Sequence, residues 1–89
     1  MESYPALGQV IDELARKRGI VGPQAISQRL WWREQYDVSD ESVYEFLHGY
    51  DRPQNDFNNA FKDALELTED EQQEYAWAYS FHERPHAPD

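Results

Sequence analysis

An all-α domain of five short helices is the fold class this sequence predicts, and three observations carry the prediction. Apolar residues recur three and four positions apart in successive stretches, among them Val10/Ile11/Leu14, Val43/Phe46/Leu47 and Phe57/Ala60/Phe61/Ala64. That spacing aligns side chains on one face of a helix. Caps and breakers punctuate those stretches at Gly19, Gly22-Pro23, Ser39, Gly49, Pro53 and Thr68. No segment keeps the apolar and polar alternation of a half-buried strand.

The lead-in MESYPA has no periodicity. Leu7, Val10, Ile11 and Leu14 then define a first helix, which Arg16-Lys17-Arg18 closes with cations near the negative end of its dipole, before Gly19. Gly22 can stand at the next N-cap and Pro23 at the first helical position, where its missing amide proton costs nothing. The second helix buries Ala25, Ile26 and Leu30. From Trp31 to Tyr36 the chain can prolong that helix or form a loop. Trp31 and Trp32 would lie about 100° apart on a helix, so one can pack inward while the other covers the core edge or stays exposed.

The third helix is the best defined. Ser39 is a candidate N-cap, and Asp40 and Glu41 place negative charge in the first turn, where exposed amides favour it. Val43, Phe46 and Leu47 form the buried face, leaving Tyr44, Glu45 and His48 outward. Gly49 can take the left-handed conformation that ends the helix, and Asp51-Arg52-Pro53 reads as the turn behind it. Asn55 is a candidate cap for a fourth helix with Phe57, Ala60, Phe61, Ala64 and Leu65 as its apolar stripe, ended by Leu67. Thr68 and Glu71 have the spacing of a capping box, which starts a fifth helix. There Gln72, Tyr75, Ala76 and Tyr79 fall on one side, while Trp77 and Phe81 point elsewhere. Residues 82–89, with Pro85 and Pro88, are expected to fray as a tail.

Eighty-nine residues allow one small domain spanning 1–89. There is no cysteine, hence no disulfide framework or thiolate zinc site. The apolar runs fall far short of the roughly 20 residues that span a membrane, and the start lacks a basic region followed by an apolar one, so a soluble cytoplasmic protein is expected. The net charge is −10, and it is uneven. Residues 1–52 carry six Lys/Arg against nine Asp/Glu, and residues 53–89 two against nine. Taken alone, this charge opposes non-specific attraction to nucleic acid or anionic membrane. No enzyme motif or cofactor loop stands out. His82 and His86 have metal-like spacing, but Pro85 intervenes, so no metal is expected.

From Leu7 to about Leu67 the chain resembles the Cro/C1-type helix-turn-helix family, the phage-repressor-like DNA-binding fold. The likeness rests on LGQVIDELARKRGI, PQAISQRL, VSDESVYEFLHG and DRPQNDFNNAFKDALEL, in that order, with Gly49, Arg52-Pro53 and Ala64-Leu65 matching most closely. It implies a repressor-like helix-turn-helix domain that binds double-stranded DNA and regulates transcription as a dimer. It places base reading on Asp40, Glu41, Ser42, Tyr44, Glu45 and His48. Phosphate contact falls near Pro23, Gln24 and the Gly49–Asn55 loop, which holds Tyr50, Arg52 and Gln54. Two departures stand out. The segment Trp31 to Asp37 adds about six residues between the second and third helices, and Pro23, Asp40 and Glu41 stand where the family tends to place Gln or Arg.

Each candidate has a plainer role beside the functional one. His48 can be a solvated residue at a helix end, and Tyr44 can cover the core edge. Arg52 can pair with Asp51 or Asp56 instead of phosphate, and Arg16-Lys17-Arg18 can serve only their helix terminus. Dimerisation is expected through the C-terminal helix, where Trp77 and Phe81 supply excess apolar surface and Ala76 and Ala78 permit close approach. The alternative there is that Trp77 and Phe81 fold back over Trp31 or Trp32. The alternative function is a protein-binding module on the same fold: an antirepressor, an antitoxin-like partner or an acidic nucleic-acid mimic. Convergence of Arg16, Lys17, Arg29, Arg33 and Arg52 beside the third helix would separate the two readings.

Overall fold

Pro5 opens the first helix and Gly19, at φ 76°, closes the turn behind it. In the computed structural model, which describes residues 4–80, five helices follow one another: α1 (Pro5–Arg16), α2 (Pro23–Glu34), α3 (Asp40–Leu47), α4 (Asn55–Leu65) and α5 (Glu69–Ser80). No strand occurs among the described residues. The readings for Phe81 and the tail 82–89 lie outside them.

The core forms where the periodic apolar faces meet. Leu7, Ile11 and Leu14 of α1, Ile26 and Leu30 of α2, Val43 of α3, and Phe57 and Phe61 of α4 are all fully buried. An aromatic line joins the layers: Phe46 meets Phe57 edge-on at 4.9 Å, Phe57 stacks on Phe61 at 5.8 Å, and Phe61 stacks on Tyr75 of α5 at 5.6 Å. Such pairs add to their area burial. α3 lies against both α1 and α2, α4 packs on α2, and α5 packs on α1.

The capping devices act largely as the sequence implies. Ser39 Oγ accepts from the Ser42 amide at 3.1 Å, satisfying one orphan donor of α3. Thr68 and Glu71 exchange bonds reciprocally at 2.9 and 3.2 Å. Gly49 has φ 76°, and a Cβ there would lie 2.9 Å from the Pro5 nitrogen, so two constraints demand glycine. Its carbonyl accepts from the Tyr4 amide at 2.9 Å, which pins the end of α3 to the start of α1.

Several expectations are corrected. α1 begins at Pro5, inside the stretch expected to be irregular. α2 runs to Glu34 and Gln35 ends it in the left-handed region, so the added segment divides into one extra helical turn and a loop over 35–39. Tyr36 anchors that loop edge-on against Phe57, and Ser27 Oγ donates to the Val38 carbonyl at 2.6 Å. Neither Trp31 nor Trp32 packs inward; they are 54% and 70% exposed, because the buried stripe of α2 runs through Ile26 and Leu30. Gln54, not Asn55, holds the N-cap position of α4. Leu47 is only half-buried, since Phe46 takes the inward place at the end of α3. On α5 the buried pair is Tyr75 and Ala78, while Ala76 is exposed.

Arg18 forms the main polar latch. Its guanidinium donates to the Leu65 carbonyl at 2.6 Å, the Leu14 carbonyl at 3.0 Å and the Glu71 carboxylate at 2.6 Å, tying the ends of α1 and α4 to the start of α5. The Arg18 bond, followed by the Thr68 amide, lowers the Glu71 pKa to about 2. Arg18 is therefore bound inside the fold, beyond the helix-end role read from the sequence.

Candidate nucleic-acid interface

A helix with one buried face must show the other. With Val43 and Phe46 inward, α3 turns Glu41, Tyr44, Glu45 and His48 outward as an i, i+3, i+4, i+7 stripe. Tyr44 is 48% exposed and meets the His48 ring edge-on at 4.0 Å, and His48 lies 5.6 Å from the ring of Tyr50. Three aromatic rings thus line the C-terminal half of α3 and the residue beyond its turn. Asp40 is exposed in the first turn, while Ser42 is half-buried and its hydroxyl accepts from Ser39 Oγ at 2.9 Å.

Beside this stripe lies a concavity of about 310 Å³ whose lining includes Gly8, Arg16, Pro23, Tyr44, Leu47 and His48. The first turn of α2 thereby stands next to the outer half of α3. Gly22, the N-cap, has no side chain to satisfy that turn and Pro23 has no amide proton, so the amides of Gln24 and Ala25 are left without a capping side chain. A helix start of this kind favours an anion. Arg16 stands at the rim, paired at 2.8 Å with Asp12, which lines the same concavity.

Gly8 was not singled out from the sequence, yet it sets this geometry. A Cβ there would strike the Leu47 carbonyl and lie 2.8 Å from the Phe46 carbonyl oxygen, so α1 and the end of α3 touch backbone to backbone. A glycine inside a helical pattern was the available signal.

The remaining candidates do not join the stripe. Arg52 lies with its guanidinium 4.6 Å above the Tyr79 ring and 5.7 Å from Tyr4, and its amide donates to Asp51 Oδ1. No ion pair with Asp51 or Asp56 forms. Gln54 and Gln24 are exposed, at the starts of α4 and α2. Of the five cations whose convergence beside α3 would separate the two readings, Arg16 lies there, whereas Lys17 holds Glu71, Arg33 holds Glu66, Arg29 lies over Trp32 and Arg52 over Tyr79. α3 itself carries Asp40, Glu41 and Glu45 and no Lys or Arg. Trp77 is 61% exposed on α5. Among the described residues no group of acids and histidines is placed to hold a metal, and no helix is long and apolar enough to cross a membrane.

No family model, no curated protein and no solved structure matches this chain.

Proposed function

We propose that this chain is a sequence-specific double-stranded DNA-binding regulator built on a repressor-like helix-turn-helix, with α2 and α3 as its two helices and a dimer as its working form. One observation carries the reading: the outward stripe of α3 stands beside the uncapped start of α2 and Arg16, so base-facing and phosphate-facing groups share one concave edge. In this arrangement Tyr44 offers an apolar ring to a thymine methyl, Glu41 and Glu45 accept from cytosine amino groups, and His48 reaches a base edge or phosphate. The amides of Gln24 and Ala25 and the Arg16 guanidinium meet the backbone. Arg52, stacked on Tyr79, acts instead by holding the turn behind α3 against α5.

A single small module contacts few base pairs, and a two-fold dimer sets two reading helices about one DNA turn apart. With most cations already paired with acids or lying over rings of the same chain, few phosphates are neutralised, so the salt slope should be shallow, about −1 to −3 per protomer. Selection from random duplexes followed by filter binding at low ionic strength tests the proposal. Enrichment of a defined sequence with salt-sensitive retention supports it, and retention of no duplex at 20 mM salt contradicts it.

A second reading, a protein-binding module on the same fold, is favoured by the dispersal of four of those five cations away from α3 and by the three carboxylates of that helix. It predicts that Glu41→Gln/Glu45→Gln weakens partner binding. The DNA reading predicts stronger non-specific retention of duplexes by the same variant, because two repulsive charges are gone.

A further inference from the structure

Nearly every cation of the described chain is engaged. Arg16 holds Asp12, Lys17 and Arg18 hold Glu71, Arg33 holds Glu66, and Arg29 and Arg52 lie over aromatic rings. Among the described Lys and Arg residues, Lys62 alone has neither an acidic partner nor a ring. In a chain of net charge −10 an unpaired ammonium is conspicuous. Lys62 is half-buried and borders a cleft of about 210 Å³ between α4 and α5, with Asn55, Asn58, Asn59 and Gln72 on its walls.

A second observation points into the same cleft. Asn58 is 6% exposed, the only polar or charged residue buried among the described residues. Its Oδ1 accepts from the Tyr75 hydroxyl at 2.6 Å, and burial pushes the Tyr75 pKa well up, so the hydroxyl remains a donor. The Asn58 carboxamide NH₂ donates to no group among the described residues. A buried donor without an acceptor is costly, and an acceptor entering the cleft would relieve that cost. The side chains of Asn55 and Asn59 are also uncommitted among the described residues, and Gln54 leaves the start of α4 without a side-chain cap. Asp56, Asp63 and Glu66, the nearest acids in sequence, are not among the lining residues, and Glu66 is held by Arg33.

We infer that the α4–α5 cleft binds a small free carboxylate, with Lys62 as its ion partner and the buried Asn58 amide as a donor. The chemistry matches: a carboxylate accepts several hydrogen bonds at once and carries the charge an unpaired ammonium lacks. The volume lies below that of drug-sized pockets, which limits the ligand to the size of an amino acid or a hydroxy acid. Ala76 and Tyr79 give its apolar part a surface. Tyr79 also donates to the Pro53 carbonyl at 2.8 Å and carries Arg52 on its ring, so an occupant bears on the turn that follows α3.

The test uses the full chain without DNA, so its outcome is independent of the proposed function. ¹⁵N-labelled protein is titrated with sodium acetate, L-lactate and L-glutamate at matched ionic strength, and with neutral lactamide as control. At least one carboxylate should shift the Asn58 side-chain amide and the Lys62 backbone amide saturably, while lactamide should not. Lys62→Gln should weaken that binding about tenfold, and Asn59→Ala should weaken it less. Arg29→Gln, on α2 over Trp32 and outside the cleft lining, should leave it unchanged. Shifts that never saturate, binding of lactamide equal to lactate, or parental affinity in Lys62→Gln would each overturn the inference.

Discussion

At the scale of single residues, the polar latch at Glu71 is the interaction with the clearest solution signature. Its folded pKa, lowered to about 2, lies below the ordinary 4.5, so the unfolded carboxyl takes up its proton first as the pH falls. The latch therefore contributes fully above about pH 4.5 and is lost between that value and about 2. Glu71→Gln should lower stability at pH 7 by about 1–3 kcal/mol, because Arg18 is left part-buried without its carboxylate. The gap from the parent should close as the pH is taken down through that window, which urea unfolding at several pH values would measure. The capping half of this site was legible in the sequence, since Thr68 and Glu71 stand at the right interval. Its Arg18 half was not, because a cation at the end of one helix says nothing of a carboxylate that arrives 53 residues later. Gly8 is the second residue-scale test. Gly8→Ala should cost about 1–3 kcal/mol through the forced separation of α1 from the end of α3, although alanine is the better helix former. A thermal melt equal to the parent would show that the two backbones do not touch there.

At the scale of elements, α3 was the most readable part of the chain. Cap, apolar face and glycine stop agree with one another, and the structure keeps all three. What a helical pattern cannot rank is depth. Phe46 and Leu47 are neighbours with equal claim on periodicity, yet Phe46 meets Phe57 in the core and Leu47 remains half-buried at the rim of the concavity. Phe46→Ala should accordingly cost about 3–5 kcal/mol, and Leu47→Ala about 1–2 kcal/mol. Denaturant curves of the two variants test the order. The segment between α2 and α3 was left open by the sequence for a physical reason. Trp31 to Glu34 continues the helix without continuing its apolar stripe, and Gln35 ends it with a left-handed conformation that glycine or asparagine would have advertised. α5 misled in the same way. Its twelve residues bury only Tyr75 and Ala78, too few to establish a face by spacing alone.

At the scale of the whole molecule, charge and assembly decide how the site can act. The α3 stripe was legible because position on a helix face follows from sequence. The dispersal of the cations was not, because it depends on which acids and rings the fold brings near them. Arg52 was read as a phosphate contact, and the fold gives its guanidinium to Tyr79. Dimerisation through α5 remains the proposed route to a two-fold reader, with Ala76 and Trp77 on its exposed side and Ala78 now excluded from the interface by burial. Trp31, Trp32 and Trp77 each keep more than half their surface exposed, which argues against Trp77 covering α2 within one chain. Analytical ultracentrifugation should find a concentration-dependent dimer in the parent that Trp77→Ala weakens, and that added salt strengthens by screening a charge of −10 per protomer. The most direct test of DNA reading by α3 is a paired selection from one random duplex library, run with the parent and with Tyr44→Ala. Base reading by Tyr44 requires an enriched sequence for the parent and a changed preference at one position of each half-site for the variant. Identical enriched sequences from the two proteins, or none from the parent, would contradict it.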